Sequence, residues 1–261
     1  MREVGKMRKT LSFLGVVVLV LALAPPPAHA TSGDLWVTET TTLAEDHQGR
    51  IIVDADDVTL DCAGHLITGT GDWFVVLVEG RSGVTVRNCR ITAGENGLVM
   101  MNSTGPNTLV ANSSFANSSQ GIIFSDSDGS VLIGNESDDN GVRGFGGANA
   151  MDATLQANSA TGNGSEGFGL FGASGNLLSD NVARSNGENG FLLSDGSSNN
   201  VVLASTSAGN GGNGFLVATS NGNRFERNTA NGNSANGFEV TESSDLRLSH
   251  NRSVANEMGA T

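Results

Sequence analysis

Three polar residues in the C-terminal half interrupt an otherwise regular pattern of small residues. Most copies of the pattern carry alanine or glycine just before a recurring asparagine, whereas Asp180, Arg227 and His250 place an acid, a guanidinium and an imidazole there. Glu226 directly precedes Arg227. Such groups on one surface could bind a carboxylated sugar or perform acid–base catalysis. A solvated row of ion pairs would have the same composition, so the four residues define a candidate ligand site, and the catalytic residues stay unknown.

Residues that could bind a metal are scattered along the chain. The histidines after residue 30 are His47, His65 and His250, and their spacing matches no zinc or copper site. Met100-Met101 is a soft-ligand pair that apolar packing explains equally well. Acidic turns such as Asp126-Ser127-Asp128 leave calcium open. The sequence therefore predicts no metal site and identifies no cofactor.

The first 30 residues have the organisation of a secretory signal peptide. A basic start is followed by a short apolar run over residues 11–23 and by the small-residue cleavage signal Ala28-His29-Ala30. The apolar run is too short to span a bilayer. We therefore expect cleavage near Ala30, a secreted, periplasmic or cell-surface protein, and no membrane span in the mature chain.

Cleavage at that point would leave a strongly acidic chain. The whole sequence has 14 Lys and Arg, 27 Asp and Glu, and a formal charge of −13. Residues 1–30 hold four of the basic residues and one acid, which leaves 10 basic residues, 26 acidic residues and a charge of −16. Such a surface repels nucleic acid and anionic membranes, so we expect neither as a partner. It also disfavours a polyanionic substrate unless a cation such as calcium bridges the two.

The elements that must position these residues are set by a repeat of about 23 residues. Three columns share this spacing, and all three contain one extra residue at the same place. They are the glycines before a large apolar residue (Gly121, Gly144, Gly167, Gly190, Gly214, Gly237), one asparagine series (Asn112, Asn135, Asn158, Asn181, Asn228, Asn251, with Ser205 in its fifth place) and a second series (Asn117, Asn140, Asn163, Asn186, Asn210, Asn233, Asn256). A repeat of this length indicates a solenoid.

The segments between the columns indicate which kind of solenoid this is. They are short and rich in Val, Leu, Phe, Ser and Thr, which favours strands. Helical repeats would need two longer runs with a period of 3.6 residues, and the sequence has none. It therefore predicts an all-β fold, a parallel β-helix with three short strands in each coil of about 23 residues.

Each column then acquires a structural role, because equivalent residues of stacked coils lie about 4.8 Å apart. The asparagines should form hydrogen-bonded ladders, and asparagine also suits left-handed corners. The column glycines should have positive φ at corners. The apolar residues after them should form an internal stack: Leu98, Ile122, Phe145, Phe168, Phe191, Phe215 and Phe238.

The repeat loosens upstream and stops abruptly downstream. Asn88 precedes the first ladder asparagine by 24 residues, and Val58–Asp61 resembles a further strand. We assign residues 31–57 to an N-terminal cover and first coil, and residues 58–261 to the β-helix. The last coil opens near Leu246 and is incomplete at residue 261, so we expect a truncated C-terminus that a partner or a missing domain would close.

Two cysteines lie in the upstream coils. Cys62 and Cys89 are separated by 27 residues, close to one coil plus a small insertion, in a chain expected to enter an oxidising compartment. They could stack in neighbouring coils, but the register there is fixed only to within one residue. The sequence leaves their pairing open.

Three segments carry a resemblance to a known family. Thr40–Gly49, Ile51–Val53 and Val58–Gly69 resemble the opening of secreted right-handed parallel β-helix proteins of the pectate-lyase-like superfamily, and the downstream Asn-x4-Asn-x3-Gly-Phe pattern is similar to their repeats. The nearest group is that of NosD-type and related carbohydrate-binding and sugar-hydrolase repeat proteins. The resemblance covers nearly all of residues 35–258 and implies right-handed coils. The enzymes' catalytic motifs do not carry over: for example, Gly64-His65 is followed by leucine.

Three functions stay open on this basis. The leading one is a secreted module that binds or scaffolds a polysaccharide or cell-surface glycan. The second is a carbohydrate-active lyase or hydrolase that uses the face of Asp180, Arg227 and His250. The third, implied by the resemblance, is a NosD-like periplasmic accessory for copper-site assembly. Whether the protein is an enzyme is left open.

Overall fold

The computed structural model describes residues 31–103 and 105–257. The expected signal peptide, residues 1–30, and residues 258–261 of the expected β-helix lie outside these ranges. The described residues form 31 strands, β1–β31, and no helix. Each strand pairs in parallel with the strand three places later in the chain, which generates three sheets. The predicted all-β parallel solenoid with three short strands per coil is confirmed.

The three sheets are named A, B and C. Sheet A contains β1 (Thr31–Ser32), β4 (His47–Gln48), β7 (Leu66–Thr68), β10 (Arg90–Thr92), β13 (Ser113–Phe115), β16 (Glu136–Asp138), β19 (Ser159–Thr161), β22 (Val182–Arg184), β25 (Thr206–Ala208), β28 (Thr229–Asn231) and β31 (Arg252–Val254). Sheet B contains β2 (Leu35–Val37), β5 (Ile51–Val53), β8 (Phe74–Glu79), β11 (Asn96–Ser103), β14 (Ile122–Ser127), β17 (Phe145–Ala148), β20 (Phe168–Phe171), β23 (Phe191–Ser194), β26 (Phe215–Ala218) and β29 (Phe238–Thr241). Sheet C contains β3 (Thr41–Thr42), β6 (Thr59–Asp61), β9 (Thr85–Arg87), β12 (Thr108–Val110), β15 (Val131–Ile133), β18 (Thr154–Gln156), β21 (Leu177–Ser179), β24 (Val201–Leu203), β27 (Arg224–Glu226) and β30 (Arg247–Ser249).

The interior of the solenoid consists of columns of side chains, and each coil contributes one residue to each column. The five column phenylalanines are buried, with neighbouring ring centroids 4.6–4.8 Å apart and planes within 10° of parallel. Ile122 and Leu98 continue the column towards the N-terminus. The predicted apolar stack is confirmed, and each fully buried aromatic side chain contributes on the order of 2–3 kcal/mol of transfer free energy.

Both asparagine series form the predicted ladders in the interior. Asn158 shows the arrangement: its Nδ2 donates to the Leu132 carbonyl at 2.9 Å and to Asn181 Oδ1 at 3.1 Å. Its Oδ1 accepts hydrogen bonds from the backbone N and from Nδ2 of Asn135, at 2.9 and 3.0 Å. One buried amide therefore joins successive coils and leaves none of its own hydrogen-bonding capacity unused.

The left-handed corners belong to the residues before the first asparagine series. Their φ values lie between 50° and 61° at Ala111, Gly134, Ala157, Asp180, Ala204, Arg227 and His250. The ladder asparagines have no positive φ, so the expectation that they adopt this conformation is wrong. The corner residue turns the chain, and its successor directs its amide inward.

The column glycines are required for space. None of the six has a positive φ, so the prediction of left-handed glycines is wrong. A Cβ on Gly167 would lie 2.8 Å from the Ala183 Cβ, the Asn186 Nδ2 and the Gly190 carbonyl oxygen. The backbone passes so close to the neighbouring coil and its ladder that a side chain cannot fit.

Of the two cysteines, Cys89 occupies the ladder position, and Cys62 lies directly after β6 in the preceding coil. Cys62 and Cys89 form a disulfide with Cα atoms 4.7 Å apart. The backbone N of Cys89 donates to Asn112 Oδ1 at 3.1 Å, as a ladder asparagine would. Cys89 therefore holds the position expected of Asn88, which is instead a left-handed corner with φ of 56°. A covalent bond replaces the amide ladder at this point.

The N-terminal coil is shorter than the others. Strands β1–β5 lie within residues 31–57, and Thr31 pairs with His47 in sheet A. His47 is buried, and its Nδ1 and Nε2 lie 2.8 Å from Thr31 Oγ1 and 3.0 Å from the Gly33 carbonyl oxygen. This histidine holds two coils together. The boundary at residue 57 stays a prediction.

Replacing one ladder amide should destabilise the solenoid strongly. Asn158→Ala leaves the Asn135 backbone N–H buried without its partner and removes the two hydrogen bonds of Asn158 Nδ2, so we expect a loss of about 3 kcal/mol in unfolding free energy. Equilibrium urea unfolding followed by circular dichroism measures it. Asn231→Ala, at an exposed position on β28, should change stability by less than about 0.5 kcal/mol. Equal losses in both variants would contradict the ladder's role.

Two glycine variants test whether the column glycines are required because a side chain would not fit or because the backbone is left-handed. Gly167→Ala should cost about 2 kcal/mol, because the new Cβ would force the next coil outward. Gly134→Ala should cost about 1 kcal/mol, the strain of a left-handed alanine, because no atom lies within 4 Å of its Cβ site and alanine occupies the same corner in other coils. Thermal unfolding midpoints compare the two. The reverse order would restore the left-handed interpretation of the column glycines.

Candidate functional site

The four sequence-predicted residues lie on one edge of the solenoid, between sheets C and A. Asp180, Arg227 and His250 occupy the same left-handed corner in different coils, and all three are exposed. Ala204 holds the corner between Asp180 and Arg227, which places those two residues about 10 Å apart. Within residues 31–103 and 105–257, neither the Asp180 nor the His250 side chain has an ion-pair partner.

Glu226 is the buried member of this group. Its carboxylate pairs with Arg227, with Nη1 and Oε1 3.0 Å apart, and also with Arg224. Two guanidinium groups on one carboxylate satisfy its charge, so the structure brings together Glu226 and Arg227 but not the whole set. Ligand binding at this corner stays a prediction.

A concave surface lies on the outer face of sheet B near its N-terminal end. Strands β2, β5 and β8 form a cleft of about 410 Å³. Its lining includes Asp34, Trp36, Arg50, Ile52, Asp54, Phe74, Leu77, Glu79 and Arg81. We call it the Trp36 cleft.

The floor of the Trp36 cleft is apolar. Trp36 pairs with Ile52, which pairs with Leu77, so the three outward side chains form one column across three coils. Trp36 lies at the end of this column and is 58% exposed. A large flat ring held open to solvent beside aliphatic side chains is a surface on which another flat apolar face can pack.

Two ion pairs border this floor. On one side, Arg50 donates from Nε to Asp34 Oδ1 at 2.9 Å and from Nη2 to Oδ2 at 2.6 Å. The Arg50 guanidinium also lies 5.5 Å from the centre of the Phe74 ring. On the other side, Arg81 pairs with Asp54. Arg50 and Asp54 lie at opposite ends of β5, about 13 Å apart, so the rims frame a groove of fixed width.

The ion pair on one rim keeps Asp34 in its charged form. The hydrogen bond from Arg50, reinforced by the charge of its guanidinium, holds the pKa of the Asp34 carboxyl below its ordinary value of 3.8. Asp34 is therefore ionised in neutral and mildly acidic solution. The cleft offers an apolar platform between rims that each carry hydrogen-bond donors and acceptors, an arrangement typical of small-molecule and sugar sites.

The sequence alone did not identify the Trp36 cleft. Its residues lie in the irregular first coils, where the repeat gives no register. A signal was present in Leu35-Trp36-Val37, where the tryptophan occupies the outward position of an alternating strand. That signal becomes informative only when the strand's buried face is known.

A second groove lies on sheet A towards the C-terminal end. It has a volume of about 280 Å³ and is lined by Arg184, Thr206, Ala208, Thr229, Asn231, Arg252 and Val254. Within the described part of the chain, neither of its arginines pairs with a carboxylate. On the same sheet, burial and the nearby charge of Glu136 raise the pKa of Asp138.

A third polar cluster breaks the repeat in the middle of sheet B. Arg143 donates from Nε to the buried Glu166 at 2.8 Å, and its guanidinium lies 4.6 Å from the centre of the Phe171 ring. Burial opposes ionisation of Glu166, but the Ser165 hydroxyl and the charge of Arg143 together lower its pKa. Phe171 and Arg143 cover the outward face at Gly169, where a Cβ would lie 2.8 Å from the Phe171 ring and 3.2 Å from Arg143 Cδ.

The candidate metal ligands are dispersed in the structure. The residues of the two described ranges include no group of three or more His, Cys, Asp or Glu side chains placed to hold a metal ion. Met100 is part of the buried core, in agreement with the packing interpretation. In the same ranges, no helix is long and apolar enough to cross a membrane.

Comparison with known proteins identifies the family. Residues 67–206 and 147–260 match the family model described as right handed beta helix region, and the chain belongs to this family. The coils are accordingly right-handed, as the resemblance implied. No curated protein sequence matches the chain.

Solved structures share the fold at low sequence identity. The periplasmic alginate epimerase AlgG is 15% identical, with a TM-score of 0.59 over 86% of this chain and 77% of its own. The A-module of the Azotobacter vinelandii mannuronan C-5 epimerase AlgE4 is 14% identical, with a TM-score of 0.52 over 87% and 80%. The pectate lyase Pel9A is 17% identical, with a TM-score of 0.54 over 85% and 68%. At these identities the likeness shows the fold alone.

The acid stability of the rim can be measured through Trp36. Because the Asp34 pKa lies below its ordinary value of 3.8, the Asp34–Arg50 pair should be lost in a transition centred below that pH. We expect the Trp36 fluorescence of a Trp73→Phe variant to report this transition, with its midpoint below pH 3.8. Asp34→Asn should abolish that change while circular dichroism reports the fold. A transition centred above pH 3.8 would contradict the assignment.

Proposed function

We propose that this protein is a secreted glycan-binding module whose main contact surface is the Trp36 cleft. The observation that carries the proposal is an exposed tryptophan at the end of an apolar column between two ion-paired rims. A sugar ring has an apolar C–H face and a hydroxyl perimeter, and the cleft complements both. Packing the ring on Trp36 buries apolar area, while the rim side chains bond the hydroxyls.

The accessible apolar surface is concentrated at the N-terminal end of the outward column. Trp36 and Ile52 are accessible there, whereas Leu77 and Val99, which continue the column, are 8% and 0% exposed. The cleft therefore offers a short apolar platform at the end of sheet B. Binding to a rigid, preformed surface also avoids the entropy cost of ordering loops.

The comparisons support a glycan as the ligand class. Alginate, mannuronan and pectate appear in the names of the enzymes that share this fold. The leader-like residues 1–30 and the disulfide between Cys62 and Cys89 agree with secretion. Copper-site assembly stays a prediction from resemblance, and a copper titration tests it.

A second candidate function is carbohydrate cleavage at sheet A. Glu136 and Asp138 project from the same face of β16, and the raised pKa of Asp138 favours a protonated carboxyl that could act as a general acid. Arg184 lies two coils further along the same column as Asp138. This arrangement would make the module an enzyme with a separate binding cleft.

Truncating the exposed tryptophan should weaken glycan binding without unfolding the protein. We expect Trp36→Ala to weaken binding to the preferred oligosaccharide at least about tenfold, measured by isothermal titration calorimetry across a polysaccharide panel. Trp73→Ala is the matched control, because Trp73 is also exposed but does not line the cleft.

Two outcomes would redirect the proposal. Binding that survives Trp36→Ala but fails in Arg227→Ala would move the site to the corner that the sequence predicted. Release of reducing ends that is lost in Asp138→Asn would favour the enzyme. If the folded protein binds no glycan in the panel, the proposed function is wrong.

A further inference from the structure

The Trp36 cleft has a charge arrangement that limits the kind of sugar it can accept. It contains three carboxylates, of Asp34, Asp54 and Glu79, and two guanidinium groups. Arg50 pairs with Asp34, and Arg81 pairs with Asp54. Each cation is therefore already neutralised, and the third carboxylate gives the cleft a net charge of −1.

The third carboxylate has no cationic partner among the described residues. Glu79 Oε1 accepts a hydrogen bond only from Asn102 Nδ2, at 3.4 Å. An anionic ligand in the cleft would lie beside this charge with no free guanidinium to offset it. To bind there, it would have to share a guanidinium whose charge an aspartate already offsets, beside the unpaired charge of Glu79.

The rims instead suit hydroxyl groups. Each Asp–Arg pair presents carboxylate oxygens that accept and guanidinium N–H groups that donate, within one rigid unit. A sugar hydroxyl both donates and accepts, so it can use both halves of such a pair. A carboxylate only accepts, so it would leave the aspartate oxygens facing a like charge.

The arginines without a carboxylate partner in the second groove lie on a different face of the solenoid. Arg184 and Arg252 line the groove on sheet A, several coils away from the Trp36 cleft. Any attraction that the protein offers to polyanions is therefore directed away from the cleft. The acidic surface of the chain as a whole adds to the repulsion.

From this arrangement we infer that the Trp36 cleft selects uncharged sugars and rejects uronates. The inference rests on the proposed function, since it assigns the substrate class of the same cleft. It separates this chain from its structural neighbours named for alginate, mannuronan and pectate, which are polyuronates. The preference for uncharged sugars arises because both arginines of the cleft already form ion pairs with aspartates in the unliganded protein.

Matched oligosaccharides test the inference. Oligomers of glucose, mannose and galactose are compared with the glucuronate, mannuronate and galacturonate oligomers of the same linkage, which differ only in a carboxylate at C6. Titration calorimetry with the full chain should show one neutral oligomer bound at least about tenfold more tightly than its uronate partner. That affinity should be nearly constant between about 0.05 and 0.5 M NaCl, because no ion pair forms with the ligand.

Variants locate the preference in the cleft. Trp36→Ala should remove binding of the neutral oligomer, and Trp73→Ala should retain it. Glu79→Gln should reduce the neutral-to-uronate ratio, because it removes the unpaired carboxylate. Arg184→Ala should leave the ratio unchanged, because Arg184 lies outside the cleft.

The failures of the two proposals are distinguishable. Uronate binding that equals or exceeds neutral binding and is lost in Trp36→Ala would overturn the inference and leave the glycan-binding function intact. Uronate binding lost only in Arg184→Ala, without neutral binding, would overturn both. A folded protein that binds no oligomer of either kind would also overturn both.

Discussion

The whole structure depends on one constraint, the in-register stacking of coils about 4.8 Å apart. Every inward side chain meets its equivalent in the coils above and below, so each column must hold residues that are compatible with copies of themselves. Phenylalanine satisfies this by parallel ring stacking, and asparagine does so because its amide has donors on one side and an acceptor on the other. The same constraint excludes a Cβ where the backbone passes close to the next coil, which explains the glycine column.

The inward and outward columns therefore differ in which residue types they can contain. The interior columns repeat because each coil packs directly on the next. Where the first asparagine ladder ends, a disulfide joins the coils instead. Outward columns are free to vary, since their side chains meet solvent. The sites found in the structure lie where an outward position departs from its neighbours: Trp36 with its two ion pairs, the arginines of sheet A, and the pair of Arg143 and Glu166. The solenoid thus acts as a rigid scaffold on which binding groups can be placed at fixed intervals.

The rigidity of this scaffold bears on recognition. Parallel strands fix the floor of the Trp36 cleft, and bidentate pairing fixes Asp34 and Arg50. Ligand binding therefore immobilises few additional side chains. The charges on both rims are neutralised before any ligand binds. Selectivity in such a site comes from matching hydroxyl groups and apolar faces more than from attraction between charges.

The sequence by itself determined the fold, because periodic residues carry register: the spacing of the asparagines and of the apolar column was enough to predict stacked strands and the phenylalanine stack. It did not determine which residue of a corner is left-handed, since the alanines and the arginine at these corners give no local indication that they adopt positive φ. Nor could it place Cys89 in the ladder, because the coil insertion there shifts the register by one residue. It correctly set Asp180, Arg227 and His250 on equivalent positions, but only the tertiary structure showed that Ala204 separates the first two and that Arg224 shares Glu226. The Trp36 cleft was decided wholly by tertiary structure, because it joins residues from three irregular coils whose packing no repeat encodes.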